Sequence, residues 1–390
     1  MKKSTPRDQF AIHGFCHENY QPVKSAFEQN FRENDEIGAA VAVNVDGTPV
    51  VDLWAGYADV NRQSPWEENT LVCVMSVTKA VASLCLLVLA DQNRLELDAP
   101  IARYWPEFAQ NGKASITVRC LLSQLAALPV ADAAPPGSAF DLDTLARALE
   151  VQSPLWEPGT QACYHSFTYG PICQQLVRRV TGKTMGDFLQ TEVLLGWDID
   201  FYIGLSDIDL GRCADLSVGE GIPSLEGMRQ PGTFLNRAWT PFTLTQEFLN
   251  SSTFRQGEFA SANGHSNARA IARLYGILSQ GGEQNNRRLI SKGLLDEATT
   301  LQWDAVETMT QRHFRYASGF MLNNPHMSIG PNPASFGHPG LGGSLGFADP
   351  AQQIGFGYCC NRIHPIDSTG PCAGGLINAL YECQARFKVK

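Results

Sequence analysis

Residues 73–90 of this 390-residue chain read CVMSVTKAVASLCLLVLA. The serine at position 76 is followed three positions later by Lys79, and the most apolar run of the chain begins directly after the lysine. Residues three apart lie on one face of a helix, so Ser76 and Lys79 are expected to point the same way from the first turn of a buried helix. A buried lysine that desolvation keeps neutral can remove the proton of a serine hydroxyl and turn it into a nucleophile.

The same pattern has a simpler interpretation, in which Ser76 caps the helix and Lys79 is a solvated charge beside it. Two features favour the catalytic interpretation. This is the only Ser-x-x-Lys in the chain, and it adjoins an apolar segment that shields a lysine from water. The first turn of a helix also offers free N–H groups and a positive field where an oxyanion would form.

The composition is typical of a soluble globular protein, with 44% hydrophobic and 18% charged residues. The net charge of -9 disfavours nucleic acid or an anionic membrane surface as a partner, because both attract basic proteins. The eleven cysteines include no Cys-x-x-Cys pair, and several lie in apolar runs, a usage typical of reduced thiols in a cytosolic protein.

The N-terminal residues 1–10 carry positive charge but no apolar segment follows them, so a signal peptide is not predicted. The longest apolar run, residues 80–90, is too short to span a bilayer. These observations predict a cytoplasmic protein without membrane association.

Secondary structure is predicted in three blocks. Residues 18–35 have the period of an amphipathic helix, and two β-prone runs around Asp46-Gly47 read as a hairpin. Strand signals then fade from residue 80 to about residue 280 and return near the C-terminus. The later helices are predicted at 118–128, 143–151, 173–180, 267–280 and 372–387, and the later strands at 315–322, 344–348 and 354–360.

This order predicts an α+β fold, in which one antiparallel sheet is built from both chain ends and flanked by helices. We expect a mixed α/β domain made of residues 1–85 and 285–390. A mainly helical domain, residues 86–284, would be inserted into it, and Ser76 would lie at the junction. Residues 203–260 are irregular and rich in Gly, Pro and Ser, and we expect them to shape a substrate pocket.

Three motifs stand in order along the chain: Ser76 to Lys79, Tyr164-His165-Ser166 shortly after Pro158-Gly159, and Phe336 to Gly340. Together they resemble the motifs of the serine β-lactamase and penicillin-binding-protein superfamily. The similarity is closest to its class C-like branch, which includes the β-lactamase-like (family VIII) carboxylesterases. Residues 262–269 also resemble that branch. The resemblance spans roughly residues 20 to 385 and implies a β-lactamase/transpeptidase-like fold.

The resemblance implies roles for individual residues. Ser76 would be the acylated nucleophile and Lys79 its general base. Tyr164 would pass the proton to the leaving group and activate the water that deacylates the enzyme. The N–H groups of Ser76 and Leu341 would form the oxyanion hole.

The chain departs from the family pattern in two of these motifs. The family's Tyr-x-Asn reads Tyr164-His165-Ser166, and its Lys-Thr-Gly reads His338-Pro339-Gly340. The lysine that would bind a β-lactam carboxylate is thus replaced by a histidine that is mostly neutral at pH 7. We expect Ser166, His338 and Gly340 to contribute to the substrate-binding site, and we do not expect efficient β-lactam hydrolysis.

Two other assignments compete with this one. Tyr169 is close enough in sequence to replace Tyr164 as the catalytic tyrosine. Residues 342–346 read GGSLG, which matches the G-x-S-x-G nucleophile elbow around Ser344. That elbow needs an apolar strand before it and a helix after it, whereas here Gly and Pro precede it and Asp349-Pro350 soon follows. Only His364 lies downstream as a triad histidine.

The sequence therefore favours a serine hydrolase that forms an acyl-enzyme on Ser76, with a carboxylesterase on small or medium esters as the first choice. A β-lactamase, an acyltransferase with the same residues, and a covalent binding or sensor protein that deacylates slowly remain alternatives. The expected partner is a small-molecule ester. No cofactor or metal is expected, because the eight histidines are scattered and no His-Glu-x-x-His or phosphate-binding glycine motif occurs. The oligomeric state is not determined by the sequence.

Overall fold

A computed structural model describes residues 10–242, 245–366 and 369–387. The remaining residues lie outside this description, among them the N-terminal stretch for which no signal peptide is predicted. Within the described ranges, none of the helices combines the length and apolar character needed to cross a bilayer.

In the described part of the chain, nine strands form one sheet in which every neighbouring pair is antiparallel. The strands of the chain are β1 (Ile12–Cys16), β2 (Gly38–Val45), β3 (Thr48–Gly56), β4 (Val72–Cys73), β5 (Phe201–Ile203), β6 (Ser217–Val218), β7 (Gly264–Ser266), β8 (Glu283–Gln284), β9 (Arg287–Arg288), β10 (Trp303–Val306), β11 (His313–Tyr316), β12 (Met321–Leu322), β13 (Phe336–Pro339), β14 (Leu345–Asp349), β15 (Ile354–Cys360) and β16 (Arg362–Ile363). The order in the large sheet is β1-β3-β2-β15-β14-β13-β12-β11-β10. Both chain ends thus build the sheet, as predicted.

The α-helices flank this sheet and fill the middle of the chain. They are α1 (Gln21–Glu33), α2 (Val77–Asp91), α3 (Val118–Leu122), α4 (Leu142–Val151), α5 (Tyr169–Thr181), α6 (Met185–Phe188), α7 (Asp207–Leu210), α8 (Pro223–Arg229), α9 (Phe234–Trp239), α10 (Gln246–Leu249), α11 (Ser252–Gln256), α12 (Ala268–Ser279), α13 (Lys292–Ala298) and α14 (Gly370–Phe387). The predicted α+β class and β-lactamase/transpeptidase-like fold are confirmed.

The two faces of the sheet bury two separate apolar cores. On one face, side chains such as Val41 and Val43 pack with the terminal helices α1 and α14. On the other face, α12 crosses β15 so closely that a Cβ on Gly355 would lie 2.1 Å from the nitrogen of Gly276. Strand alternation places successive side chains on opposite faces, so the neighbouring Cys359 and Cys360 enter different cores.

Helix α2 lies at the centre of the molecule, packed between α5 and β13. Its residues 77–89 are all buried, which explains the continuous apolar run in the sequence. Because β13 belongs to the sheet and α5 to the helical region, Ser76 at the start of α2 lies where the two meet.

The structure differs from the sequence-based expectations in several elements. The apolar run 118–128 is helical only to Leu122, because Gln124 and Ala127 adopt left-handed backbone angles (φ 65 and 55) and the chain turns. The strand predicted at 315–322 is divided into β11 and β12 by Gly319 at φ 94. Helix α12 falls within the range assigned to the helical domain, yet it packs on the sheet. The division of the chain into two domains stays a prediction.

Candidate active site

Ser76 lies on a tight turn that is fixed by main-chain and side-chain hydrogen bonds. The preceding residue, Met75, has φ 48, a left-handed conformation that is costly for a residue other than glycine. The hydroxyl of Thr78 donates to the Met75 carbonyl at 2.5 Å and accepts from the N–H of Gly264 at 2.8 Å. The N–H of Val74 donates to the Gly264 carbonyl at 2.9 Å. Strand β7 therefore holds the turn that presents Ser76.

Lys79 lies one helical turn below Ser76 and is 1% exposed. Its Nζ is 3.2 Å from the Oγ of Ser76 and donates to the carbonyl of Ser261 at 2.7 Å. Burial lowers the pKa of Lys79 from 10.5 to about 7. A large fraction of the amine is therefore neutral near pH 7 and able to accept the Ser76 proton.

Tyr164 is the tyrosine that approaches Ser76. Its hydroxyl interacts with Ser76, both residues line the same pocket, and its ring centroid lies 4.9 Å from the Nζ of Lys79. Burial raises the pKa of the Tyr164 phenol above its usual range, so the group keeps its proton and can donate it. The competing Tyr169 is buried in the core, with its hydroxyl 2.6 Å from the Oγ of Ser83.

The main chain around Tyr164 is held by Glu307, a residue that sequence reasoning missed. The fully buried carboxylate of Glu307 accepts the N–H of Tyr164 at 2.8 Å, that of Met309 at 2.9 Å and that of Thr310 at 2.5 Å. Glu307 lies 143 positions after Tyr164, and no local pattern links the two.

A buried histidine supports the other side of this motif. The Nε2 of His165 accepts the N–H of Leu128 at 3.0 Å, which leaves Nδ1 to donate to the carbonyl of Cys163 at 2.7 Å. Burial lowers the pKa of His165 to about 4, so the ring is neutral at pH 7. The apolar run 118–128, which the sequence predicted to be helical, therefore supports the Tyr164 motif through its last residue, Leu128.

The turn after β13 closes on the segment that precedes Ser76. A Cβ on Gly340 would lie 2.3 Å from the carbonyl oxygen of Val74, so only glycine fits at this approach. Within the described residues, the N–H groups of Ser76 and Leu341 donate to no main-chain carbonyl, and both residues line the same pocket. These are the two N–H groups predicted to form the oxyanion hole.

His338 is placed differently from the expectation. Its ring is 3% exposed and packs 6.1 Å from the Tyr164 ring, with Nδ1 2.7 Å from the carbonyl of Pro339. Burial lowers the pKa of His338 to about 3, so the ring is neutral. Strand β13 directs this side chain towards a small internal void beside Lys79, while Pro339, Gly340 and Leu341 line the main pocket. We therefore do not include the His338 side chain among the proposed substrate contacts.

The main pocket opens beside Ser76. Ser166 lies in its wall and accepts a hydrogen bond from the indole of Trp239 at 2.9 Å, a contact that the sequence did not indicate. Large apolar side chains dominate the lining. Those from the segment expected to shape the pocket are Met228, Leu235, Trp239, Phe242, Leu249 and Phe254.

The chain also matches the sequence model of a known protein family. The family model described as Beta-lactamase matches residues 25–377. The chain belongs to the Beta-lactamase family. The predicted superfamily is thereby confirmed, and the protein is an enzyme of the serine β-lactamase and esterase superfamily.

Individual relatives of this Beta-lactamase-family protein include both esterases and penicillin-binding-protein homologues. The Esterase/beta-lactamase LipL of Mycobacterium tuberculosis is 31% identical over 361 residues, which cover 90% of this chain and 83% of that protein. The crystal structure of a family VIII carboxylesterase is 35% identical, with a TM-score of 0.87 and coverage of 96% of this chain and 100% of that one. A penicillin-binding-protein homologue from Caulobacter crescentus is 36% identical, with a TM-score of 0.86 and the same coverage.

The alternative nucleophile of this Beta-lactamase-family protein, Ser344, lacks the surroundings of a nucleophile elbow. It is 3% exposed, lies in the turn between β13 and β14, and is not part of the main pocket lining. The His364 ring has its Nε2 3.2 Å from a carboxylate oxygen of Glu36. Among the described residues, no hydrogen bond joins Ser344 to His364.

Proposed function

We propose that this enzyme is a carboxylesterase that hydrolyses small or medium carboxylic esters through an acyl-enzyme on Ser76. The observation that carries the proposal is the 3.2 Å approach of the Lys79 Nζ to the Ser76 Oγ in a site that lowers the pKa of the lysine to about 7. A neutral amine within hydrogen-bond reach of a serine is the pairing that nucleophilic catalysis requires.

Acylation follows from this geometry. Neutral Lys79 takes the hydroxyl proton as the Ser76 Oγ bonds to the ester carbonyl carbon, and the carbonyl oxygen becomes an oxyanion. The N–H groups of Ser76 and Leu341 stabilise that charge. Collapse of the tetrahedral intermediate breaks the bond to the leaving oxygen, which takes the proton of the Tyr164 hydroxyl while Tyr164 regains one from protonated Lys79.

Deacylation uses the same groups in the reverse order. A water molecule gives its proton to the Tyr164 and Lys79 pair while its oxygen bonds to the acyl carbon. The second tetrahedral intermediate expels the Ser76 Oγ, which takes a proton from the pair. The products are the carboxylic acid and the free enzyme, and no proton is gained or lost by the site over the cycle.

The pocket chemistry supports esters over β-lactams as substrates. The apolar pocket next to Ser76 suits uncharged acyl or alcohol groups. A β-lactam carboxylate would find a neutral, buried histidine at position 338 in place of a lysine. We therefore expect β-lactamase activity to be weak or absent.

The test is hydrolysis of p-nitrophenyl esters by the wild type, Ser76→Ala and the matched control Ser344→Ala, with nitrocefin as a parallel substrate. We expect Ser76→Ala to lose at least about 10³-fold in kcat/KM, because removal of a nucleophile abolishes the covalent route. Ser344→Ala should keep most of its activity. Loss of ester turnover in Ser344→Ala alone would refute the assignment, and nitrocefin turnover faster than ester turnover would favour a β-lactamase.

A further inference from the structure

A second cluster of reactive side chains is buried behind the turn that carries Leu341. It consists of Glu36, Tyr358, His364 and Cys372, and we call it the Glu36 cluster. Its members come from four parts of the fold: the segment before β2, strand β15, the segment after β16 and the first turn of α14. The N–H of His364 donates to the carbonyl of Gly342 at 3.2 Å, which connects the cluster to the turn.

The donor atoms of this cluster are spaced as metal ligands are. The His364 Nε2 lies 3.2 Å from a Glu36 oxygen and 4.0 Å from the Cys372 Sγ, and the three donor atoms all lie within 4.8 Å of one another. Ligand atoms around tetrahedral zinc are separated by about 3.3–3.6 Å, as follows from bond lengths of about 2.0–2.3 Å. Shifts of about 1 Å or less would bring the three side chains into zinc coordination.

The carboxylate of Glu36 provides independent evidence for a bound cation. Its side chain is completely buried, and one oxygen, Oε2, has no hydrogen-bond partner among the described residues. The other oxygen accepts the hydroxyl of Tyr358. A buried carboxylate oxygen without a partner is costly, and coordination to a cation removes that cost. The hydrogen bond from Tyr358 is the kind of outer contact that orients a ligating carboxylate.

The charge balance also fits a divalent cation. Glu36 and a thiolate at Cys372 carry two negative charges, which one divalent ion neutralises. Burial and the neighbouring Glu36 carboxylate raise the pKa of the free Cys372 thiol, so its proton leaves only when an ion binds. The mixture of one sulfur, one imidazole nitrogen and one carboxylate oxygen favours zinc over magnesium or calcium.

We propose that the Glu36 cluster is a zinc site in which Glu36, His364 and Cys372 ligate the ion. Binding releases the thiol proton of Cys372 and uses the Nε2 lone pair of His364. The site is structural: it joins α14 and the segment after β16 to the start of β2. No metal was expected from the sequence, because the three proposed ligands lie at positions 36, 364 and 372, outside any local motif.

The experiment is a titration of the chelator-treated full-length protein with Co²⁺, followed by displacement with Zn²⁺. We expect one equivalent to bind, with the visible bands of tetrahedral cobalt and a near-ultraviolet thiolate-to-cobalt charge-transfer band. Cys372→Ser should lose the charge-transfer band, and His364→Gln should weaken Zn²⁺ binding at least tenfold. The control Cys383→Ser changes another buried thiol of α14 outside the cluster and should retain both properties.

Three results would overturn the proposal: no charge-transfer band in the wild type, the same band in Cys372→Ser, or binding only as octahedral cobalt at surface groups. If Cys372→Ser does not fold, X-ray absorption of the zinc-loaded wild type decides the question. One sulfur with nitrogen and oxygen neighbours supports the site, and an all-nitrogen and oxygen shell contradicts it.

Discussion

The burial of Lys79 makes a quantitative prediction about the pH dependence of catalysis. At pH 7, a lysine with an ordinary pKa of 10.5 is neutral in about 0.03% of molecules, whereas one with a pKa of about 7 is neutral in about half of them. Burial thus increases the population of the base about 10³-fold. The value of kcat/KM should therefore rise tenfold per pH unit well below pH 7 and become constant well above it.

Other groups near Ser76 should leave this profile undisturbed. Burial keeps the pKa of His165 at about 4 and that of His338 at about 3, and it holds the pKa of Tyr164 above its usual range. No second ionisation from these groups is therefore expected between pH 6 and pH 9.

The assay is steady-state hydrolysis of a p-nitrophenyl ester from pH 5 to pH 9, read at the isosbestic wavelength of the product. Lys79→Arg is the perturbation, because guanidinium stays protonated throughout this range. We expect it to lose about 10²–10⁴-fold in kcat/KM, the usual contribution of a general base. A flat wild-type profile between pH 6 and pH 8, or a Lys79→Arg variant with near-normal rates, would refute the assignment of Lys79 as the base.

Three further predictions concern stability and the support of the site. The unfolded chain holds the Lys79 proton up to its ordinary pKa of 10.5, whereas the folded chain releases it near pH 7, so the free energy of unfolding should rise with pH between these values. Lys79→Met should remove this pH dependence and raise the free energy of unfolding at pH 6 by about 2 kcal/mol in urea titrations. A variant less stable than the wild type at pH 6 would contradict the cost of burying the charge. Glu307→Ala should lower the free energy of unfolding by about 2–4 kcal/mol and reduce kcat, because the N–H groups of Tyr164, Met309 and Thr310 lose their acceptor. Unchanged unfolding curves would argue against this role of Glu307. Gly340→Ala should reduce kcat at least tenfold, because the added Cβ would push the turn that carries Leu341 away from Ser76. The control Gly293→Ala, where a Cβ meets open space, should leave kcat unchanged. Equal effects of the two substitutions would refute the steric argument.

Much of the fold was predictable because its signals are local. The Asp46-Gly47 turn adopts positive φ angles of 49 and 71, which match the right-handed twist of the strands. The hairpin β2–β3 was therefore predictable from this turn and the β-prone residues on either side of it. The continuous apolar run of α2 also identified a helix buried on all sides. Short edge strands such as β1 and β10 were missed, because they contain only five and four residues and none of these residues is buried.

The site was predictable only where its residues share a motif or a helical turn. Ser76 and Lys79 are three positions apart, so helix geometry alone brings them together. Glu307 and Trp239 reach the Tyr164 motif through tertiary contacts across 143 and 73 positions. The direction of the His338 side chain depends on the pairing of β13 with β14, which no spacing in the sequence specifies.

The most direct test of the central claim is intact-mass analysis after rapid mixing with a slowly deacylating ester, followed by peptide mapping. The account predicts one acyl group per chain, located on Ser76, which disappears within seconds to minutes in the wild type and does not form in Ser76→Ala. An adduct that persists for hours would make the protein a covalent binder instead of an esterase. An adduct on Ser344, or hydrolysis without any adduct, would contradict the acyl-enzyme on Ser76.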